Sequence, residues 1–323
     1  MTGAVVAVVA GAVSEEDRFY AERAPAGGVS LGDVMDSLER QAFHPRHVDP
    51  ASDSFLDDLR AADLVFINMH GEYGEDGRLQ GMLDYFGKLY TGSGVLAGAV
   101  ALNKVTFKRL MSGCAMPVPR YALADHCELP WGVNQARLDG LRPPVIAKPV
   151  SGGSSIGMRL LTAPLSLDTT VSADEHRALL LEEFIAGETV TVAVLNLAGV
   201  LIASPAVRVM FDSDFYDADV KLGGSPAQPP TYLGLGAEAV EHAVRWTATA
   251  VHQLVGCRGY SRVDFIVTDA GEHYVLEVNT IPGLTRGGNF VACTKLLGLT
   301  YDETVLCVLR SCLLPHPELV SGR

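Results

Sequence analysis

Tyr260-Ser261-Arg262-Val263-Asp264-Phe265-Ile266-Val267, followed closely by Tyr274-Val275-Leu276-Glu277-Val278-Asn279, is the stretch from which the rest of the chain can be read. Both runs are rich in β-branched and aromatic residues. Thr268-Asp269-Ala270-Gly271-Glu272-His273 between them is turn chemistry, so the pair is predicted to form an antiparallel hairpin. Pairing Thr268 with His273 opposes Asp264 to Glu277 and Arg262 to Asn279. Strand side chains repeat every second residue, which puts all four on one face. Two carboxylates directly opposed on a sheet repel each other, and a cation between them removes the conflict. Mg²⁺ takes oxygen ligands from one or two carboxylates and keeps positions open for phosphate oxygens, so Asp264, Glu277 and Asn279 are expected to hold metal. Arg262 beside them suits negative charge developing on a phosphoryl group or a tetrahedral centre. The competing reading is a solvated face neutralised by Arg262 alone. Apolar flanks and the following Thr280-Ile281-Pro282-Gly283-Leu284-Thr285 loop favour metal.

A second signal is Val145-Ile146-Ala147-Lys148-Pro149 leading into Val150-Ser151-Gly152-Gly153-Ser154-Ser155-Ile156-Gly157-Met158. A lysine ending an apolar strand, then a loop of glycines and serines, suits a polyphosphate: backbone N–H groups and hydroxyls donate while glycine permits close approach. GxxxxGK[ST] is absent, and a flexible surface hairpin is an equal reading for the loop taken alone. A third signal, His70-Gly71-Glu72-Tyr73-Gly74-Glu75-Asp76-Gly77, follows the apolar run Leu64 to Asn68. It falls where open α/β sheets place ligands, at the carboxyl end of a parallel strand. Gly28-Val29-Ser30-Leu31-Gly32 matches the GxSxG nucleophile elbow, but Ala24-Pro25-Ala26-Gly27 is a poor strand to precede it.

Around these signals the first hundred residues read as βαβα: Val5 to Ala10, Val34 to Phe43, Leu64 to Asn68 and Leu79 to Phe86. That order predicts a small parallel sheet covered by helices. A helix near Asn103 to Ser112 follows, then short strands at Arg120–Leu123, Pro144–Lys148, Met158–Leu161 and Leu179–Glu183. Strands at Val190–Leu195 and Leu201–Ala206, a long helix from Ala237 to Val255, the hairpin and a helix around Tyr301 to Leu314 complete the chain. The expected domains are 1–102, 103–187 and 188–323. In all, 323 residues with a net charge of −13 describe a multidomain α/β protein without general affinity for nucleic acid or anionic membrane. No apolar run reaches the length of a bilayer span, the apolar start reads as a buried strand, and the scattered cysteines read as reduced thiols in a cytoplasm.

Taken together, His70 to Gly81, Lys104, Lys148 to Met158, Glu182-Glu183-Phe184-Ile185, Arg262-x-Asp264 and Glu277-x-Asn279 resemble the D-alanine-D-alanine ligases of the ATP-grasp superfamily. Gly74-Glu75-Asp76-Gly77-x-x-Gln80-Gly81, Tyr90-Thr91-Gly92-Ser93-Gly94 and Glu277-x-Asn279-Thr280-x-Pro282-Gly283 stand almost as that family has them. The resemblance implies an α/β, three-domain ATP-grasp fold with an N-terminal Rossmann-like parallel sheet. It further implies ATP-dependent joining of a carboxylate to an amine through an acyl phosphate. On that basis Lys104, Lys148 and Lys221 contact the ATP phosphates, Ser154 and Ser155 lie on the closing loop, and Glu182 to Ile185 form the adenine hinge. Glu188 stands beside the ribose position. Asp264, Glu277 and Asn279 bind two Mg²⁺, or Mn²⁺ in their place. Arg262 and Gly283 form the oxyanion site, with His70 in the catalytic set. The family's habit also implies a homodimer.

Departures from the family pattern concern the amino-acid pocket. The acidic residue expected before Val29-Ser30-Leu31 is Gly28, leaving Glu15, Glu16 or Glu22 as substitutes. The tyrosine expected after Lys221 is Leu222, the acidic residue of the Gly/Ser loop is Gly152, and a Ser-Leu pair is Gly288-Asn289, with Arg286 nearby. A pocket that loses hydrogen-bonding partners discriminates against its former substrate. The expectation is therefore a ligase for an unusual amino acid or amine in specialised metabolism. An authentic D-alanine-D-alanine ligase of peptidoglycan precursor synthesis is the alternative.

Overall fold

Val5-Val6-Ala7-Val8-Val9 is apolar at every position, a pattern that suits a strand covered on both faces. In the computed structural model it is β1, and the structure describes residues 2–11, 13, 30–124, 140–151, 158–162, 178–210, 231–234, 236 and 238–315. Strands β1 (Val5–Val9), β2 (His44–Val48), β3 (Leu64–Ile67) and β4 (Leu89–Tyr90) form a parallel sheet in the order β2-β1-β3-β4. Helices α1 (Leu31–Arg40), α2 (Phe55–Ala61) and α3 (Arg78–Tyr85) connect them. The sequence reading missed β2 because His44-Pro45-Arg46-His47-Val48 is an edge strand, mostly exposed and without apolar alternation. It also missed α2 and α4 (Val95–Leu102), the latter apolar along its whole length and so without a helical period.

Helix α5 (Lys104–Gly113) starts at Asn103, whose side chain accepts from the Thr106 amide and caps the first turn. An antiparallel sheet follows, of β5 (Tyr121–Ala124), β6 (Val145–Pro149), β7 (Arg159–Leu161) and β8 (Leu179–Glu183), ordered β5-β8-β6-β7. The largest sheet contains β9 (Glu188–Leu197), β10 (Val200–Ala203), β11 (Val207–Met210), β12 (Thr231–Gly234), β13 (Tyr260–Val267) and β14 (His273–Asn279). Its order is β12-β11-β9-β13-β14, with β10 paired to β9. The Leu201–Ala206 run expected as one strand is interrupted at Ser204-Pro205-Ala206 between β10 and β11.

Both faces of this sheet are covered. On one, Val244, Ala248 and Val251 of α6 (Glu238–Val255) pack against Val192, Val263, Phe265, Val275 and Val278. On the other, Ala193, Leu195 and Tyr260 share a core with Val6, Val8 and Phe66 of the parallel sheet, Phe290 of α7 (Asn289–Leu296), and Val305 of α8 (Tyr301–Arg310). Ile281, just beyond β14, is buried among Ala7, Val9, Val65 and Ile67. That anchor brings the 280–285 loop to the carboxyl end of β3, next to His70.

The hairpin register corrects the sequence count. Val267, not Thr268, faces His273, and a bulge between Asp264 and Phe265 inserts Leu276 on the partner strand. Beyond it Asp264 faces Glu277 and Arg262 faces Asn279, as expected. The bulge turns Val275 into the α6 core and His273 toward Thr247, while Glu277 and Asn279 keep the opposite face. Of the six cysteines, Cys127 lies outside the described residues and the other five are free thiols. Among the described residues no helix is long and apolar enough to cross a membrane.

Candidate functional site

Alternation along β13 puts Arg262 and Asp264 on one face, and the guanidinium grips the carboxylate with Nε–Oδ1 at 2.9 Å and Nη2–Oδ2 at 2.7 Å. Thr191, opposite Asp264 on β9, donates its hydroxyl to Oδ1 at 2.6 Å. Glu277 stands opposite on the other side. Arg262 is thus one cation that relieves the opposed carboxylates. Among the described residues no cluster of three or more His, Cys, Asp or Glu side chains forms a metal site. The candidate set is instead two carboxylates and the Asn279 amide, and all-oxygen donors of this kind fit a hard divalent cation.

Asn279 Oδ1 also accepts from the Ile281 amide at 2.9 Å, shaping the start of the loop. The Ile281 carbonyl lies 3.1 Å from His70 Nδ1. A carbonyl can only accept, so Nδ1 carries the proton and the neutral ring offers Nε2 as an acceptor. Burial pushes the His70 pKa down to about 4; the carbonyl opposes this and the Arg262 charge adds to it. A β-carbon built on Gly283 would sit 3.9 Å from His70 Cε1. His70, Arg262 and Gly283, distant in sequence, therefore meet beside the carboxylate pair.

The loop continues under firm restraint. Tyr301 donates its hydroxyl to the Leu284 carbonyl at 2.9 Å, and Arg286 bonds Asp33 on α1 at 2.7 Å while lying over the Tyr301 ring. Gly288 caps α7; a β-carbon there would approach Thr285 Oγ1 to 2.6 Å, so the position is fitted to glycine. Asn289 opens the helix.

Toward the antiparallel sheet, Lys148 on β6 and Glu182 on β8 project from one face and form an ion pair. Lys108, unflagged by the sequence reading, joins them from α5. Its Nζ lies 2.7 Å from Glu182 Oε1 and 2.8 Å from the Val275 carbonyl, with the side chain fully buried. Burial lowers the Lys108 pKa to about 8 against the pull of Glu182. Burial alone would raise the Glu182 carboxyl, but the two ammonium groups outweigh it and hold its pKa low. The Lys104 amide donates to the Val150 carbonyl at 2.9 Å, which ties the start of α5 to the end of β6.

In the hinge segment, the Glu183 amide is taken by Arg120 O and the Phe184 amide by Pro144 O; Ile185 is part-buried. Glu188 pairs with Arg208 at 2.7 Å. Ser30 is buried and donates to Asn68 at 2.9 Å, so it is not poised as a nucleophile. Glu15, Ser154, Ser155, Lys221 and Leu222 lie outside the described residues. Lys108 and Thr191 carried little sequence signal. Only the four-residue step from Lys104 hints at Lys108, and Thr191 needs the β9–β13 register.

The families described as "D-ala D-ala ligase N-terminus" and "D-ala D-ala ligase C-terminus" match residues 6–93 and 110–310. The D-alanine--D-alanine ligase of Alcanivorax borkumensis is 35% identical over 302 residues, 93% of this chain and 91% of the relative. That of Polaromonas naphthalenivorans is 33% identical over 288 residues, 88% of each chain. Among solved structures, the D-alanine--D-alanine ligase of Bacillus anthracis complexed with ATP aligns with a TM-score of 0.78 at 22% identity, covering 96% of this chain and 98% of that one. The VanG D-Ala:D-Ser ligase of Enterococcus faecalis aligns at 0.75 and 23%, covering 96% and 99%. At such identities these structures speak to the fold.

Proposed function

Because the chain belongs to the D-alanine-D-alanine ligase family, an ATP-dependent, ADP-forming group of ligases with the ATP-grasp fold, we propose that it joins two D-alanine molecules. The observation that carries the reading is the convergence of His70, Arg262 and Gly283 on the opposed Asp264 and Glu277. Such a face suits a reaction in which phosphate charge arrives and an oxyanion develops.

In this reading the first D-alanine's carboxylate attacks the γ-phosphorus of ATP, giving D-alanyl phosphate and ADP. The amine of the second D-alanine then attacks the acyl carbon, and phosphate leaves as the amide forms. Lys104, Lys148 and Lys221 hold the phosphates, Glu182 to Ile185 line the adenine, and Glu188 flanks the ribose. The Arg262 guanidinium and the Gly283 N–H face the oxygen on which charge develops. Neutral His70 presents Nε2 to a donor on the substrate, because its other nitrogen is held by Ile281. Asp264, Glu277 and Asn279 would hold the divalent cation, read as two Mg²⁺ with Mn²⁺ as substitute, which when bound draws charge from the phosphoryl oxygens. Ser154 and Ser155 belong to the loop closing over the first substrate, and Glu15 and Leu222 to the amino-acid pocket.

The expectation of an unusual amine gives way to the alternative. Relatives with 32 to 35% identity over most of the chain bear the D-alanine--D-alanine ligase name. The Gly288-Asn289 departure also costs less than side-chain counting suggests: amides at the start of α7 can receive the second substrate's carboxylate without a hydroxyl. The proposal includes domains at 1–102, 103–187 and 188–323, supported by the three sheets, together with a homodimer and a cytoplasmic setting.

Purified protein with ATP, Mg²⁺ and D-alanine should release ADP, phosphate and D-alanyl-D-alanine in equal amounts, with no such release on L-alanine. ADP release indifferent to D-alanine but dependent on another amine would overturn the substrate assignment.

A further inference from the structure

Lys108 has no role in the scheme above, yet it is a fully buried cation at the junction of three elements. Its ammonium lies 2.7 Å from Glu182 on β8 and 2.8 Å from the carbonyl of Val275 on β14, the residue before the bulged Leu276. The Val275 amide donates to the Pro117 carbonyl at 2.8 Å, so both peptide groups of this edge-strand residue bond outward from the sheet. Glu182 receives Lys108 on one oxygen and Lys148 on the other. Two ammonium groups share a single buried carboxylate, which leaves one positive charge uncompensated within the group. An unbalanced buried charge is costly, and an anion arriving beside it recovers that cost.

We infer that Lys108 is a positioning residue for nucleotide binding: by engaging Glu182 it leaves the Lys148 ammonium available to the phosphates of the nucleotide. The inference rests on the nucleotide reading of the preceding section. Without the Lys108 charge, Glu182 and Lys148 close into a neutral pair, and Lys148 must break a buried ion pair to meet a phosphate. Through Val275 the same side chain spans from the hinge strand to the strand bearing Glu277, whose charge also acts on it. A merely structural bridge would instead lower stability and leave nucleotide affinity alone.

The test compares wild type and Lys108→Met, by calorimetric binding of ADP with Mg²⁺ and by KM for ATP and for D-alanine. The single variant is expected to weaken ADP binding and raise the ATP KM by about tenfold or more, while the D-alanine KM moves by less than about twofold. If Lys108→Met does not fold, Lys108→Gln keeps a donor toward Val275 without the charge and should show the same split. Nucleotide affinity equal to wild type in the single variant overturns the inference, as does a D-alanine KM that rises as much as the ATP KM. Wild type that binds no ADP overturns the nucleotide reading itself, a separate result.

Discussion

Removing the charge of Glu277 while keeping its shape isolates what that side chain does. Glu277→Gln retains the strand pairing opposite Asp264 but loses the charge proposed to bind metal. Turnover should fall by at least about a hundredfold with the melting temperature nearly unmoved; D-alanine-dependent ADP release and a thermal melt read the two effects, and unchanged turnover would mean the face is misassigned. Histidine titration gives a second expectation. Burial pushes both His70 and His252 down to about 4, whereas an unfolded histidine titrates near about 6.5. Between those values the unfolded chain binds protons that the native chain refuses, so this stability is whole above about pH 6.5 and falls as the pH drops toward 4. Urea midpoints should decrease from pH 7 to pH 5, and His252→Gln should flatten the slope; a slope unchanged in that variant would contradict the assignment. At this scale the facing of Asp264 with Glu277 and of Arg262 with Asn279 was legible, because the bulge offsets the one-residue error in the turn count. Lys108 was not, since lysines are almost never fully buried and only the fold supplies its carboxylate.

Single elements carry constraints that side-chain chemistry alone does not reveal. Gly187 links the hinge strand to β9, and a β-carbon there would stand 2.4 Å from the Val267 carbonyl oxygen, a backbone atom with no rotamer to retreat into. Gly187→Ala should cost about 1–3 kcal/mol, read as a lower urea midpoint; an unchanged midpoint would show that the β9–β13 edge yields. The hairpin gives a sharper contrast. One residue inserted within 269–271 should be absorbed by the turn. One inserted between Leu276 and Glu277 should rotate the register and abolish ADP release. The sequence read the hairpin and the Asp264–Glu277 and Arg262–Asn279 pairs correctly, but it set His273 opposite Thr268 in place of Val267 and could not locate the bulge. The bulge goes with the burial of Val275 in the α6 core, a contact far away in sequence. Polar β2 and uniformly apolar α4 escaped for opposite reasons: one buries too little to show alternation, the other too much.

Across the whole molecule, the parallel sheet and the largest sheet share one core, and Arg258 fastens them at the rim. Its guanidinium donates to the carbonyls of Gly92 at 2.6 Å and Tyr90 at 2.5 Å, and its amide to the Ser93 hydroxyl at 3.1 Å. Arg258→Met would remove these donors from the Gly92 and Tyr90 carbonyls and should lower stability by about 2–4 kcal/mol; a chemical melt that does not shift would contradict that role. The order of elements and the spacing of motifs made the three-sheet architecture legible, whereas the shared core depends on tertiary contacts that no local pattern encodes. Substrate is the feature least legible in the sequence, because counting side chains at Gly28, Leu222 and Gly288 names absent contacts without naming a ligand. The account turns on where nucleotide-borne metal sits. A crystal structure of this chain with ADP and Mg²⁺ should place the ion about 2.1 Å from oxygens of Asp264, Glu277 and Asn279. An ion lodged elsewhere, with Glu277 turned away from it, would contradict the account.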